Sequence, residues 1–207
     1  MLDSASIETA GGSSLPASTQ VVPTGIAILG SHPQTVATAP FDDPGWLIYA
    51  CSPHNIEMRT LPRWDEWFEV HLPVQDKTRS YHYLRGLEEQ SRQKLARGED
   101  AVVWMRDKNA LPHFPGGKLY PEAEMKQQFC AFLFSSSIAF MLAKAIADCE
   151  RLGIKQIGLW GILQSSETEF AYQRPGTQYF LWEATRRGIK VLAAKESQLF
   201  EPAPEIF

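Results

Sequence analysis

The sequence predicts an α/β domain with a Rossmann-like, mainly parallel sheet of about six strands and helices on both faces. Six short apolar runs have the composition of strands buried on both faces. Helical patterns separate several of these runs, and such alternation is typical of parallel sheets with right-handed crossovers. The predicted strands are Gly25 to Leu29, Trp46 to Cys51, Trp67 to His71, Ala101 to Met105, Gln156 to Trp160 and Ile189 to Ala193.

The predicted helices lie between these strands. A short helix starts at Pro33, and three longer ones span Thr78 to Ala96, Ser136 to Arg151 and Thr177 to Arg187. The remaining stretch from Lys108 to Pro121 holds three prolines and a pair of glycines. Because it is long for an ordinary connection, it predicts a lid or a binding loop.

Size and composition predict one domain. The chain has 207 residues, enough for one sizeable core, and its first 23 residues are rich in Ser, Thr, Ala and Gly. We therefore expect a flexible arm over 1–23 and a single domain over 24–207.

A net charge of −4 disfavours a DNA partner without excluding it. Three widely spaced cysteines and the lack of a membrane or targeting segment predict a cytoplasmic protein. A homodimer is expected from the polar arm and from an apolar aromatic surface over Phe129 to Phe134.

Residues that follow the predicted strands are the first candidates for a site. In open α/β sheets the ligand lies beyond the carboxyl ends of the strands. This rule selects three of the five histidines, His32, His54 and His71. Histidine carries protons near neutral pH, so His71 and His32 are the candidate general bases. His54 and its neighbour Asn55 are assigned to the predicted nucleotide site.

The first predicted strand ends in the turn Gly30-Ser31-His32-Pro33. This turn lacks the glycine-rich dinucleotide fingerprint, which disfavours an NAD-dependent dehydrogenase. Gly30 permits close backbone approach, Ser31 offers a hydroxyl, and Pro33 suits the start of a helix whose free amides can hold a phosphate. A turn without a ligand would have the same features. Gly30 and Ser31 are therefore predicted, but not required, to bind a nucleotide.

A serine cluster forms the second candidate segment. Ser135, Ser136 and Ser137 precede the predicted helix, and Gly161 ends the strand that follows it. One serine suffices as a helix cap, so the cluster leaves donors for a nucleotide. The Asp, His and Cys residues have no zinc or calcium spacing, and no glycine-flanked nucleophile marks a serine hydrolase. No metal is predicted, and no cofactor is firmly implied beyond a nucleotide or a nucleotide-linked donor.

Several motifs occur in a fixed order between Gly25 and Leu199. They are the Gly30 to Pro33 turn, Ala39 to Pro44, Trp67 to His71, Ser135 to Ala139, Gly158 to Gly161 and Gln173 to Gly176. In this order the chain resembles a family of uncharacterised Rossmann-like proteins common in bacteriophage genomes. The first turn, and the serine-led helix followed by a strand ending in glycine, are also distantly similar to bacterial sialyltransferases that use a CMP-sugar donor.

The second resemblance implies a nucleotide lodged between the Gly30 turn and the serine cluster, with a histidine base acting on an acceptor. Relatives of both kinds tend to carry an acidic residue two positions after the glycine that ends the strand following the serine-led helix. In this chain that glycine is Gly161, and Leu163 stands at the position of the acid. Glu167 or Glu169 could replace that acid. The missing acid favours a protein that binds a nucleotide without catalysis.

Three residues near position 170 are assigned to the substrate. Arg174 can clamp a phosphate or carboxylate with two hydrogen bonds, and Tyr172 and Glu169 lie close to it in the sequence. An ion pair of Arg174 with Glu169 or Glu167 is an equal alternative. Trp64 and Trp67 could form a stacking wall for a base, although core packing is the better interpretation.

Two functions follow from these patterns. The first is a transferase that moves a sugar or another small group from a nucleotide donor, or onto a nucleotide or a modified base of phage DNA. The second is a non-catalytic nucleotide-binding module that serves as a sensor, a decoy or an assembly protein. The sequence leaves the donor, the acceptor and the oligomeric state open.

Overall fold

The computed structural model describes residues 21–51, 61–70, 82–164 and 170–200. Within these residues, seven strands form one sheet, and every neighbouring pair is parallel. In chain order they are β1 (Gly25–Leu29), β2 (Trp46–Cys51), β3 (Glu66–Glu69), β4 (Val102–Met105), β5 (Gly117–Leu119), β6 (Gln156–Trp160) and β7 (Lys190–Ala193). Across the sheet the order is β5-β4-β3-β2-β1-β6-β7. The predicted fold class is confirmed, with seven strands rather than about six.

The strand that the sequence does not reveal is β5. It lies inside the stretch predicted as a lid or binding loop and pairs with β4 at one edge of the sheet. Its three residues are too few for a recognisable pattern. The turn before it needs Gly116, whose φ is +80° and where a Cβ would lie 1.9 Å from the Ala101 carbonyl oxygen. The glycines that indicated a loop therefore allow an edge strand.

Within the described residues, five α-helices connect the strands. They are α1 (Pro33–Val36), α2 (His82–Ala96), α3 (Glu122–Gln128), α4 (Ser137–Leu152) and α5 (Phe170–Arg186). The sequence predicts four of these and misses α3. The start of α4 agrees with the prediction, because the Ser136 hydroxyl accepts a hydrogen bond from the Ala139 amide at 3.2 Å. No helix within the described ranges is long and apolar enough to cross a membrane.

Helix α5 begins at Phe170 rather than at the predicted Thr177, and contains Pro175. A proline in the second turn removes only one intrahelical hydrogen bond. The next residue, Gly176, packs on the segment before α4: a Cβ there would lie 2.4 Å from the Leu133 carbonyl oxygen. Tertiary packing thus keeps α5 continuous across Pro175-Gly176, a dipeptide that by itself predicts a break in a helix.

Both faces of the sheet are covered. Along β1 successive side chains alternate between two apolar clusters, with Ile26 and Ile28 in one and Ala27 and Leu29 in the other. The first cluster includes α4 and α5. The second includes the buried Leu87 of α2, with α1 packed at its margin. This two-sided burial explains why β1 is apolar throughout.

A buried polar network lies on the α4 face of the sheet, at the last turns of α4. The Asp148 carboxylate accepts hydrogen bonds from the Tyr49 hydroxyl at 2.6 Å, from the Lys144 ammonium, and from Arg151 at 2.8 Å. Burial would raise the pKa of Asp148, but its hydrogen bonds, that from Lys144 foremost, outweigh this effect and lower it. Asp148 lies 11 residues beyond the first residue of α4, or about 16 Å along the helix axis.

Replacing Asp148 by Asn should destabilise the fold by about 3–5 kcal/mol, because it leaves the Lys144 charge buried without its carboxylate partner. Urea unfolding monitored by circular dichroism measures this. Arg151→Ala is the matched control, because Arg151 bonds the same carboxylate but its own side chain is 64% exposed. That variant should lose less than about 1 kcal/mol. Equal losses in the two variants would contradict the network's role.

Glu66 gives a pH-dependent test beside this network. Its carboxylate accepts a hydrogen bond from the Trp104 indole, and burial raises its pKa above the ordinary value. Folding thus opposes the ionisation of Glu66. The contribution of Glu66 to the free energy of unfolding is fully present at low pH, where the carboxyl is neutral, and is lost as the pH rises through the folded-state pKa. We expect Glu66→Gln to be more stable than the parent protein at pH 7. The difference should vanish toward about pH 4, in urea unfolding at several pH values. A constant difference would be the contradicting result.

Candidate nucleotide and substrate site

The strand order changes direction between β1 and β6. From β1 to β5 the sheet grows on one side, whereas β6 and β7 extend the other side. Ligands of open α/β sheets bind beyond the carboxyl ends of the strands at such a switch point. The predicted site residues Gly30 and Gly161 directly follow β1 and β6 there. The fold therefore brings these two turns together.

The two turns are joined by three hydrogen bonds. The Gly30 amide donates to the Trp160 carbonyl at 2.7 Å, and the His32 amide donates to the Gly161 carbonyl at 3.0 Å. The Gly161 amide donates to the Thr35 hydroxyl at 3.0 Å. A Cβ on Gly30 would lie 2.4 Å from the Gly161 carbonyl oxygen. We call this contact between Gly30 and Gly161 the glycine junction.

The glycine junction changes the meaning of the predicted turn. The sequence predicts close backbone approach at Gly30, and the structure has it, but the approaching group is protein backbone. The Gly30 and His32 amides are used inside the protein, so a phosphate would find fewer donors at this turn than expected. The assignment of Gly30, Ser31 and Gly161 to nucleotide contacts stays a prediction.

Ser31 and His32 lie on the exposed side of the junction. Ser31 is exposed, and His32 is half-buried as the residue that precedes α1. The His32 ring atom Nδ1 is shielded from solvent and has no hydrogen-bond partner. A buried polar atom of this kind indicates a missing donor, acceptor or water. His32 is thus a candidate contact for a ligand at this edge.

The serine cluster contacts the first turns of α5. Ser136 caps α4, while the Ser135 hydroxyl is exposed and donates to the Gln173 carbonyl at 3.4 Å. Two residues assigned to the substrate lie on the same turns. Tyr172 is 86% exposed, whereas Arg174 is buried and only 7% exposed. The structure therefore brings Ser135 to the turn of α5 on which Tyr172 and Arg174 lie.

Burial decides whether Trp64 and Trp67 are available to a ligand, and it describes part of the expected dimer surface. Trp64 and Trp67 are each 3% exposed and pack edge to face, with ring centroids 5.8 Å apart, so a stacking wall for a base is wrong at these positions. Within the expected dimer surface Phe129 is buried, while Phe132 is 93% exposed. His54, Asn55, His71, Glu167 and Glu169 lie outside the described residues.

Cys51 ends β2 at the same edge and is no candidate nucleophile. Its thiol donates to the Leu29 carbonyl at 3.6 Å, and burial raises its pKa to about 12. A thiol with such a pKa stays protonated near neutral pH. Among residues 21–51, 61–70, 82–164 and 170–200, no three His, Cys, Asp or Glu side chains are grouped to hold a metal ion.

Two residues near the junction are missed by the sequence. Gln164 has a left-handed φ of +46°, is 5% exposed, and its amide oxygen has no hydrogen-bond partner. Trp160 ends β6 and lines a cavity together with residues of α1 and β7. Nothing in the sequence indicates the strain at Gln164. For Trp160, its place at a strand end directly before Gly161 is a signal that could have been used.

Several solved structures share this fold. An α-2,3-sialyltransferase from Campylobacter jejuni in apo form matches with a TM-score of 0.54 and 17% identity, over 89% of this chain and 80% of that one. The sialyltransferase CstII from the same organism, in complex with the substrate analogue CMP-3FNeuAc, gives 0.50 and 16%, over 81% and 79%. A complex of CST-II with a trisaccharide acceptor and CMP gives 0.50 and 15%, over 82% and 80%. No protein-family model and no curated protein matches the chain. At such identities the likeness shows the fold.

The glycine junction predicts an ordered series of stabilities. Gly161 has a φ of +71°, and a Cβ there would lie 2.6 Å from the Gly30 carbonyl oxygen. Gly98 has a φ of +75° but open space around the added Cβ. Gly98→Ala should therefore lose only the backbone strain, about 1–2 kcal/mol. Gly161→Ala should lose about 1–3 kcal/mol more, because the new methyl group must displace backbone.

Urea unfolding of both variants checks the series, with Gly153→Ala as a second control, since its φ is +74° and its surroundings are equally open. A Gly161→Ala loss no larger than those of the two controls would show that the junction tolerates a side chain.

Proposed function

We propose that the chain is a glycosyltransferase that uses a nucleotide-linked sugar donor, of the kind that carries CMP. One observation carries the proposal. The chain shares its fold with solved sialyltransferases, two of them captured with CMP or a CMP-sugar analogue, and its Gly30, His32 and Gly161 lie next to the switch point of the sheet. That point is the ligand position of open α/β folds.

The proposed donor site lies between the Gly30 turn and the serine cluster. The start of α4 contributes a positive helix end, which favours a phosphate. Ser31 and Ser135 add exposed hydroxyl groups. On this proposal Arg174 and Tyr172, on the first turns of α5, reach the substrate, and Glu169, His54 and Asn55 complete the contacts.

The proposed reaction is a displacement at the anomeric carbon of the donor sugar. The oxygen of an acceptor hydroxyl forms a bond to that carbon, and the bond from the carbon to the phosphate oxygen breaks. The nucleoside monophosphate leaves with the electron pair, and the hydroxyl proton passes to a base. His32 is one candidate base, because its Nδ1 has no other partner. His71 is the other.

A second function keeps the binding and omits the chemistry. Leu163 stands where the resemblance implies an acidic residue, and its carbonyl accepts a hydrogen bond from the Gln198 amide at 3.2 Å. An aliphatic side chain can neither orient a base nor contact a sugar by a charge. This favours a nucleotide-binding module without turnover. If the likeness to phage proteins holds, a modified DNA base becomes an alternative acceptor, although the net charge of −4 disfavours it.

Calorimetric titration with CMP, UMP and NAD+ tests the binding, and release of CMP from a CMP-sialic acid donor tests the turnover. We expect CMP to bind more tightly than UMP or NAD+. Turnover with a glycan acceptor supports the transferase, and tight binding without turnover supports the module. Binding of none of the three nucleotides would contradict both functions.

The base is tested by His32→Gln and His71→Gln, each alone. Loss of a general base should lower kcat by about 100- to 10,000-fold, while the dissociation constant of CMP changes little. Glu124→Gln, an exposed carboxylate on α3 outside the proposed site, is the control and should keep full turnover. Full turnover in both histidine variants would remove the histidine base from the mechanism.

A further inference from the structure

A cavity of about 290 Å³ lies at the carboxyl ends of β6 and β7, on the α1 side of the sheet. Trp160 and Leu192 provide apolar lining. Hydroxyl groups come from Thr35 of α1 and from Thr38, two residues beyond the end of α1, and Glu196 follows β7 at the exposed rim. Its volume is close to the lower end of the range for small-molecule sites.

The indole in the cavity is held in one orientation. A Cβ on Gly158 would lie 2.3 Å from Cζ3 of Trp160, so the ring lies across a strand position that has no side chain. The Trp46 ring packs against the indole at 90°, with centroids 5.3 Å apart. Trp160 nevertheless stays half-exposed. A fixed, partly exposed aromatic ring provides a flat apolar surface for another ring.

Two polar groups of the cavity, the Thr38 hydroxyl and the Glu196 carboxylate, can accept hydrogen bonds from a ligand. The Thr38 hydroxyl gives its proton to the Thr35 carbonyl at 2.8 Å, so its oxygen is left to accept. The Glu196 carboxylate is exposed at the rim and can accept two donors. Because no Lys or Arg is among the residues that the structure places along this lining, a phosphate is disfavoured here.

We propose that this cavity binds a neutral pyranose ring. Its apolar face stacks on Trp160, and two of its hydroxyl groups donate to Glu196 and Thr38. The proposal rests on the proposed function, because the ring would then belong to the glycan acceptor. The position agrees with that role: α1 borders the cavity and begins after His32, whose amide bonds Gly161 at the glycine junction. Donor and acceptor would approach the junction from its two sides.

The test uses the full chain labelled with 5-fluorotryptophan, and Trp160→Phe identifies the Trp160 fluorine signal. Methyl glycosides of galactose, glucose and mannose are titrated separately. We expect at least one of them to shift the Trp160 signal in a saturable manner. Glu196→Gln should weaken that binding about tenfold, and Thr38→Val should weaken it as well. Glu124→Gln, an exposed carboxylate on α3, should leave it unchanged.

Separate titrations with CMP distinguish the two proposals. If CMP binds and no glycoside shifts the Trp160 signal, the cavity proposal is overturned and the proposed function stands. If a glycoside binds with the expected response to Glu196→Gln while CMP does not bind, the sugar site is supported and the donor is contradicted. If free cytidine or uridine shifts the Trp160 signal in place of a glycoside, the cavity is a nucleoside site and the proposal is overturned.

Discussion

The glycine junction is the constraint on which the carboxyl edge of the sheet depends. Two backbone turns meet there without room for a side chain on either, and three hydrogen bonds hold them. The contact fixes the start of α1 against the end of β6. As a result, His32 lies beside the switch point, and Trp160 bounds a cavity next to α1. A residue larger than glycine at Gly30 or Gly161 would move both His32 and Trp160.

The two ends of the sheet have different physical roles. Toward the amino ends, the Asp148 carboxylate accepts hydrogen bonds from three side chains, and this buried network stabilises the packing of α4 on the sheet. At the carboxyl ends, polar atoms of His32 and Gln164 remain without partners, and Gln164 also has a strained backbone. Such unsatisfied and strained groups are typical of binding sites, where the rest of the fold supports their cost. The proposed function is placed at this second end.

The sequence predicts part of the candidate site. The rule that ligands lie beyond strand ends selects His32 and the turns at Gly30 and Gly161, and it does so because parallel strands share one edge. This rule does not predict contacts between segments that are distant in the sequence. The contact of the serine cluster with α5 depends on Gly176 packing against backbone 43 residues earlier in the chain, at Leu133. The cavity at Trp160 depends on three separate elements, so no local pattern reveals it.

By itself, the sequence determined the parallel α/β class, most strands and the start of α4 at Ser136. These features depend on apolar runs and on capping, which act over a few neighbouring residues. Only the tertiary structure decided the edge strand after Gly116, the continuation of α5 across Pro175, and the partner of Gly30. Each of these depends on which backbone approaches a glycine or proline from elsewhere in the chain, and for Gly30 that backbone is Gly161, in a distant turn.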